Sequence, residues 1–154
     1  MGRATADGWL DRSFTHLGAR VRLQLRCGAA PIMERVGASA KIARNQRTCR
    51  ICNQAVVEDP EHLVSRCSHY AGLREECLQR ITGHINGVNA PRLRQAIAAV
   101  DPALFLGDRL FSELSPETAK AVDSVICDYL KLAWRKRAEL WQLQCLPGQL
   151  WRLK

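Results

Sequence analysis

Apolar residues recur at helical spacing along most of this chain, and few segments alternate between apolar and polar residues as strands do. In residues 8–26, arginines separate six apolar side chains that share a helical face: Trp9, Leu10, Phe14, Leu17, Val21 and Leu25. The sequence GAAP at residues 28–31 ends this pattern. The pattern predicts an amphipathic N-terminal helix, and residues 32–49 predict a second, weaker helix or an ordered linker.

The strongest helix signal begins at Ser115. Serine is a favoured N-cap, Pro116 suits the first helical position, and Glu117 complements the positive end of the helix dipole. The helix should run to about Cys145, where the sequence PGQ stops it. Its main apolar face carries five residues: Val122, Val125, Ile126, Tyr129 and Ala133. The basic residues of the segment WRKR, 134–137, are typical of a solvated face, although they would also suit a binding surface.

Weaker helical patterns fill the middle of the chain. One apolar face after Cys67 comprises Tyr70, Leu73, Cys77 and Ile81, and Gly83 can close that helix. Beyond it, Pro91, Pro102 and Gly107 break the chain into short helices.

These patterns predict a mainly α protein, a helical domain with a small ββα module inserted. Residues 1–48 should form a basic helical N-terminal segment, 49–82 the cysteine-containing module with its following helix, and 83–154 a C-terminal helical region. A length of 154 residues fits one such domain.

Positive charge is concentrated in the N-terminal third. The chain has 23 Lys and Arg against 15 Asp and Glu, and residues 1–50 hold ten basic and three acidic side chains. A localised positive field suits an anionic polymer, and the excess of arginine favours bidentate phosphate contacts. A GC-rich genome, which encodes arginine readily, would also produce this excess. The candidate phosphate contacts are Arg20, Arg22, Arg26, Arg44, Arg47 and Arg50.

The cysteine pattern argues against a secreted disulfide scaffold. The number of cysteines is odd, seven, and no signal peptide or transmembrane-length apolar run is evident. A reducing intracellular compartment explains this better, and both the nucleus and the mitochondrion fit. The arginine-rich stretch 9–26 suits either an organelle presequence or a helix that faces nucleic acid. We expect no membrane association.

Three cysteines and one histidine have the spacing C-x2-C-x9-H-x4-C, formed by Cys49, Cys52, His62 and Cys67. Thiolate and imidazole are the usual ligands of Zn²⁺, and four protein ligands leave no open coordination position. The pattern therefore predicts one structural zinc ion. The alternatives are buried free cysteines beside an unrelated histidine, or His69 as the fourth ligand. The other cysteines lie singly on helical or apolar segments and are not expected to bind the metal: Cys27, Cys77, Cys127 and Cys145.

The second half of the motif needs a particular backbone shape. Asp59 is a candidate N-cap and Pro60 a first-turn proline, which places His62 at the start of a short helix. His62 and Cys67 would be about 140° apart on an ideal helix, so the helix must end or unwind near Arg66. The preceding sequence NQAVVE suits the returning arm of a hairpin.

The module resembles the zinc-binding region near the C-terminus of non-LTR retrotransposon reverse transcriptases. The resemblance covers about residues 20–82, including the arginine- and leucine-rich segment 22–31. Ser68 departs from the family, which commonly has proline there. The resemblance implies a structural metal and contact with RNA or DNA. The matching residues are Cys49, Cys52, Glu58, Glu61, His62, Leu63, Cys67, Tyr70 and Arg74.

Catalytic motifs are missing from the sequence. It has no pair of adjacent aspartates for a polymerase and no glycine-rich phosphate loop. We therefore expect a non-catalytic RNA-binding module without a small-molecule substrate. Trp9 and Phe14 fall on the apolar stripe, so binding should depend on the phosphate backbone and on shape, not on base stacking. The alternative is a structural subunit of a large ribonucleoprotein, for example a mitochondrial ribosome, with protein partners and a domesticated retroelement fragment as scaffold.

Overall fold

The computed structural model describes residues 16–107 and 109–144. The described part of the chain is mainly helical, as predicted. Short 3-10 turns occur at Arg44–Gln46, Ser68–Tyr70 and Arg109–Glu113, and one π-helical turn at His62–Arg66. The α-helices in this part are α1 Leu17–Arg26, α2 Met33–Ser39, α3 Ala71–His84, α4 Pro91–Ala99, α5 Pro102–Leu106 and α6 Pro116–Gln144.

Helix α6 organises the core. Its predicted start is confirmed, since the Ser115 hydroxyl accepts a hydrogen bond of 3.3 Å from the Thr118 amide. The helix reaches Gln144, and Cys145 lies outside the described residues. Although α6 has 29 residues, none of the described helices is both long and apolar enough to cross a membrane. The predicted apolar face is buried against α1 and α3, through Val122, Val125, Ile126, Tyr129 and Ala133.

Helices α1 and α6 cross at very short range. A Cβ atom on Gly18 would lie only 1.8 Å from the carbonyl oxygen of Cys127, so this crossing requires glycine. The adjacent apolar residues Val21 and Leu25 are buried, which confirms the predicted stripe over this part of the segment. Trp9, Leu10 and Phe14, on which the rest of that prediction depended, lie outside the described residues.

Helices α3 to α5 complete the core. Of the predicted face, Tyr70, Cys77 and Ile81 are buried and Leu73 is half-buried, and α3 continues one residue past Gly83. Pro91 and Pro102, predicted as breaks between short helices, begin the helices α4 and α5.

The cysteine-containing segment has less strand structure than expected. Residues 47–58 double back on themselves, and one isolated antiparallel bridge joins Thr48 to Val57. No longer strand forms in the described ranges, because the metal-motif turn and two residues with positive φ, Asn53 at 53° and Ala55 at 54°, occupy the arms. The segment is therefore a tight loop held by one bridge.

Candidate metal centre

The four residues of the cysteine–histidine motif converge on one point. Their ligand atoms all lie within 4.8 Å of one another, although the motif spans 19 residues of sequence. Cys52 Sγ and His62 Nε2 lie 3.4 Å apart. His69, the alternative ligand, is exposed and lies outside this cluster.

The spacing of the ligand atoms fits a tetrahedral zinc site. With Zn–S near 2.3 Å and Zn–N near 2.0–2.1 Å, neighbouring ligand atoms should be about 3.5–3.8 Å apart. The Cys52–His62 distance of 3.4 Å is close to that value. Since all four ligand atoms lie within 4.8 Å of one another, small movements would bring the others to zinc-binding distances. Three thiol groups and one imidazole are also the donor set that zinc prefers.

A π-helical turn brings the two later ligands together. The Asp59 carboxylate accepts a hydrogen bond of 2.7 Å from the His62 amide, which confirms its predicted role at the start of this turn. The Cys67 amide then donates to the His62 carbonyl at 2.8 Å, five residues back along the chain. This wide turn stacks Cys67 above His62, whereas an α-helix would rotate the two apart. The turn ends at Arg66, where unwinding was predicted.

Most of the cluster is shielded from water. Cys49 is 3% exposed, His62 4% and Cys67 0%, whereas Cys52 is half-buried. A hydrogen bond from the Cys67 thiol lowers the pKa of Cys49 to about 3, and that same bond raises the pKa of Cys67. Burial raises the pKa of Cys52. A bound dication would favour loss of the thiol protons.

Helix α6 supports the cluster through buried polar contacts. Arg137 donates two hydrogen bonds to Glu58, at 2.8 and 3.0 Å, and the Met33 amide donates a third at 2.7 Å. Tyr129 donates to the Val64 carbonyl at 2.8 Å, next to His62 in the π turn. This role of Arg137 was not predicted, because the basic segment 134–137 is typical of a solvated face. The only indication for Glu58 in the sequence is the position of that residue in the retrotransposon resemblance.

One of the six candidate phosphate contacts must be withdrawn. Arg22 is 0% exposed, because it lies on the face of α1 that packs against α6. Its guanidinium donates to the Asp123 carboxylate at 2.5 Å and also to the Gly107 carbonyl. An arginine used in this way inside the core cannot meet a phosphate.

The other five arginines differ in how available they are. Arg47 is half-buried and donates to the carbonyls of Ile42 and Glu34, at 2.8 and 3.3 Å. Arg44 lies 3.6 Å from the Glu34 carboxylate, although its side chain is 69% exposed. Four of these five are exposed to solvent: Arg20, Arg26, Arg44 and Arg50.

The remaining cysteines stay apart from the cluster. Cys27 is exposed, and Cys77 and Cys127 are buried in the helical core. Burial raises the pKa of Cys77 to about 12. Cys145 lies outside the described residues.

The candidate metal centre thus consists of a closed set of soft ligands, a π turn that aligns two of them, and a buried ion pair behind it. The chain matches no protein-family model, and it is similar to no curated protein and to no solved structure.

Proposed function

We propose that this chain is a non-catalytic RNA-binding module held together by one structural zinc ion, and that it is related to the C-terminal region of retroelement reverse transcriptases. The observation that supports the proposal most directly is the convergence of Cys49, Cys52, His62 and Cys67 within 4.8 Å. A four-ligand site supplies folding free energy instead of an open coordination position for water or substrate.

Zinc would connect two neighbouring segments of the chain. Cys49 and Cys52 belong to the loop 47–58, whose arms share one isolated bridge. His62 and Cys67 belong to the turn that leads into α3. A metal bound by both pairs would fix the loop against that turn and hold the two as one compact module.

The proposal of RNA as partner is based on charge. Residues 1–50 carry ten basic and three acidic side chains, and four of the candidate arginines are exposed. Arg50 lies inside the C-x2-C turn, so zinc would fix the backbone beneath an exposed positive charge. We propose that these arginines contact the phosphate backbone of structured RNA. Such contacts release counterions and make the affinity strongly salt-dependent.

Metal analysis tests the zinc site. The purified protein should contain about one zinc per chain, and Cys52→Ser should lose it together with the local structure. Cys27→Ser is the matched control, because this exposed cysteine lies outside the cluster and should leave the zinc content unchanged. A metal-free protein with undiminished stability would contradict the assignment.

A salt titration tests RNA binding. Fluorescence anisotropy with a structured RNA at 50 and 200 mM salt should show a steep loss of affinity as salt increases. Replacing Arg20, Arg44 and Arg50 with glutamine should reduce the salt slope by about two to three, since each phosphate contact contributes roughly 0.7–0.9.

The control for charge is a variant with three other exposed arginines changed to glutamine: Arg66, Arg80 and Arg92. It has the same net charge and should retain the wild-type slope. Undetectable or salt-insensitive binding would favour the alternative proposal, a scaffold subunit of a ribonucleoprotein whose arginines pair with acidic protein neighbours.

A further inference from the structure

Arg50 is an exposed arginine whose position is restrained at both ends. Its backbone lies between Cys49 and Cys52, in the turn that presents two of the metal ligands. Its guanidinium carbon lies 5.7 Å from the centroid of the Trp141 ring, on α6. A cation above an indole ring is attracted by the ring quadrupole, so this contact limits the conformations of a long side chain.

The Trp141 ring is itself fixed from within the protein. The guanidinium of Arg137 lies 4.7 Å from its centroid. Arg137 cannot easily move, because both its hydrogen bonds to the buried Glu58 carboxylate would break. The restraint on Arg50 therefore extends through two contacts to an ion pair in the core.

The charge of Arg50 has no partner of opposite sign in the described part of the chain. Arg44 faces Glu34, and Arg47 is bonded to backbone carbonyls. For Arg50 the structure shows the aromatic contact and no carboxylate among residues 16–107 and 109–144. A guanidinium that lies over a ring keeps its N–H groups available at the edge of its plane, in the fork that matches a phosphate.

We propose that Arg50 is a preformed site for a nucleic-acid phosphate and that Trp141 is the residue that positions it. This inference rests on the proposed function, because it names the part of the surface that would contact the RNA backbone. The other exposed arginines of residues 1–50 would then contribute general attraction, and the zinc-binding turn would hold the oriented contact. Because Arg50 is already held in place, it loses less conformational entropy when it binds a phosphate.

Two single substitutions with equal charge change test the site. Arg50→Gln should weaken binding of a structured RNA by at least about tenfold, the equivalent of one charge-assisted hydrogen bond, and lower the salt slope by about one. Arg92→Gln is the matched control, since Arg92 is 80% exposed on α4, and it should change the affinity far less. Arg50→Lys should keep the salt slope and lose part of the affinity, because lysine lacks the planar fork.

The positioning role of Trp141 needs its own comparison. Trp141→Phe retains an aromatic ring and should bind RNA nearly as well as the wild type, whereas Trp141→Leu should approach the affinity of Arg50→Gln. Zinc content and thermal unfolding of both variants should be measured beside RNA affinity. If Trp141→Leu fails to fold, the Arg50 comparison still decides, because that side chain is on the surface.

The results separate this inference from the proposed function. Equal affinities of Arg50→Gln and Arg92→Gln, in a protein that binds RNA with a steep salt dependence, would overturn the oriented site and leave the RNA-binding proposal standing. Equal affinities of Trp141→Phe and Trp141→Leu would overturn the positioning role. A wild-type protein without salt-dependent binding would overturn both proposals.

Discussion

Replacing Arg137 with methionine should strongly destabilise the protein. Methionine keeps an unbranched side chain but removes both donors to Glu58, whose side chain is only 2% exposed. The carboxylate would keep one hydrogen bond, from the Met33 amide at 2.7 Å, and would have no compensating charge. Removing one member of a buried ion pair costs about 3–5 kcal/mol. That is a large fraction of a typical free energy of unfolding, about 5–15 kcal/mol.

Urea denaturation of the zinc-saturated protein measures this effect. With an m value of about 2 kcal/mol/M, the midpoint should fall by roughly 1.5–2.5 M. Arg66→Met is the matched control, because its ion pair with Glu61 has side chains 63% and 54% exposed and should contribute at most about 1 kcal/mol. A double variant, Arg137→Met with Glu58→Leu, should recover part of the loss. If Arg137→Met and Arg66→Met have equal midpoints, the buried pair does not stabilise the fold as described.

Three further predictions concern glycine and cysteine positions. Gly18→Ala should lower the free energy of unfolding by about 1–3 kcal/mol, because the added Cβ would overlap the carbonyl of Cys127. Gly72→Ala should not lower it, because a Cβ on Gly72 would have nothing within 4 Å. Thermal unfolding of the two variants measures the difference. In the zinc-saturated protein at pH 8, a thiol reagent should count one fast-reacting thiol fewer in Cys27→Ser than in the wild type. The number in Cys77→Ala should equal that of the wild type. The pKa of the Cys77 thiol is 9.0 in the unfolded chain, and burial raises it to about 12 in the folded protein. The contribution of the protonated thiol to stability is therefore complete below pH 9 and is lost as pH rises towards 12. Denaturation at pH 8 and pH 11 should show a smaller decline in Cys77→Ala.

Local signals predicted the parts of the structure that depend on neighbouring residues. The start of α6 was evident at Ser115 and Pro116, because caps and prolines act within one turn. The need for unwinding near Arg66 followed from the angle between His62 and Cys67 on a helix. The four ligand atoms converge as their spacing in the sequence predicts, because the whole motif lies within a short stretch of chain.

Contacts between distant segments could not be predicted in this way. Glu58 and Arg137 are 79 residues apart, and Arg22 and Asp123 are 101 apart. Charge counts assign such residues to the surface, since arginine and glutamate are seldom fully buried unless they are paired. The partner that permits burial is known only once the helices have packed. The hairpin was overestimated because the β-branched pair in NQAVVE suggested a strand, whereas Asn53 and Ala55 adopt left-handed conformations.

The π turn at His62–Arg66 makes the length of this segment as important as its composition. An extra residue between His62 and Cys67 would rotate the last thiol by roughly 100° about the axis of an ordinary helix, away from the other ligands. Side-chain changes at the exposed Arg66 would leave the backbone path intact. The segment should therefore accept substitutions at its outward position much more readily than an insertion, and natural variation in it should change the identity of residues without lengthening the segment.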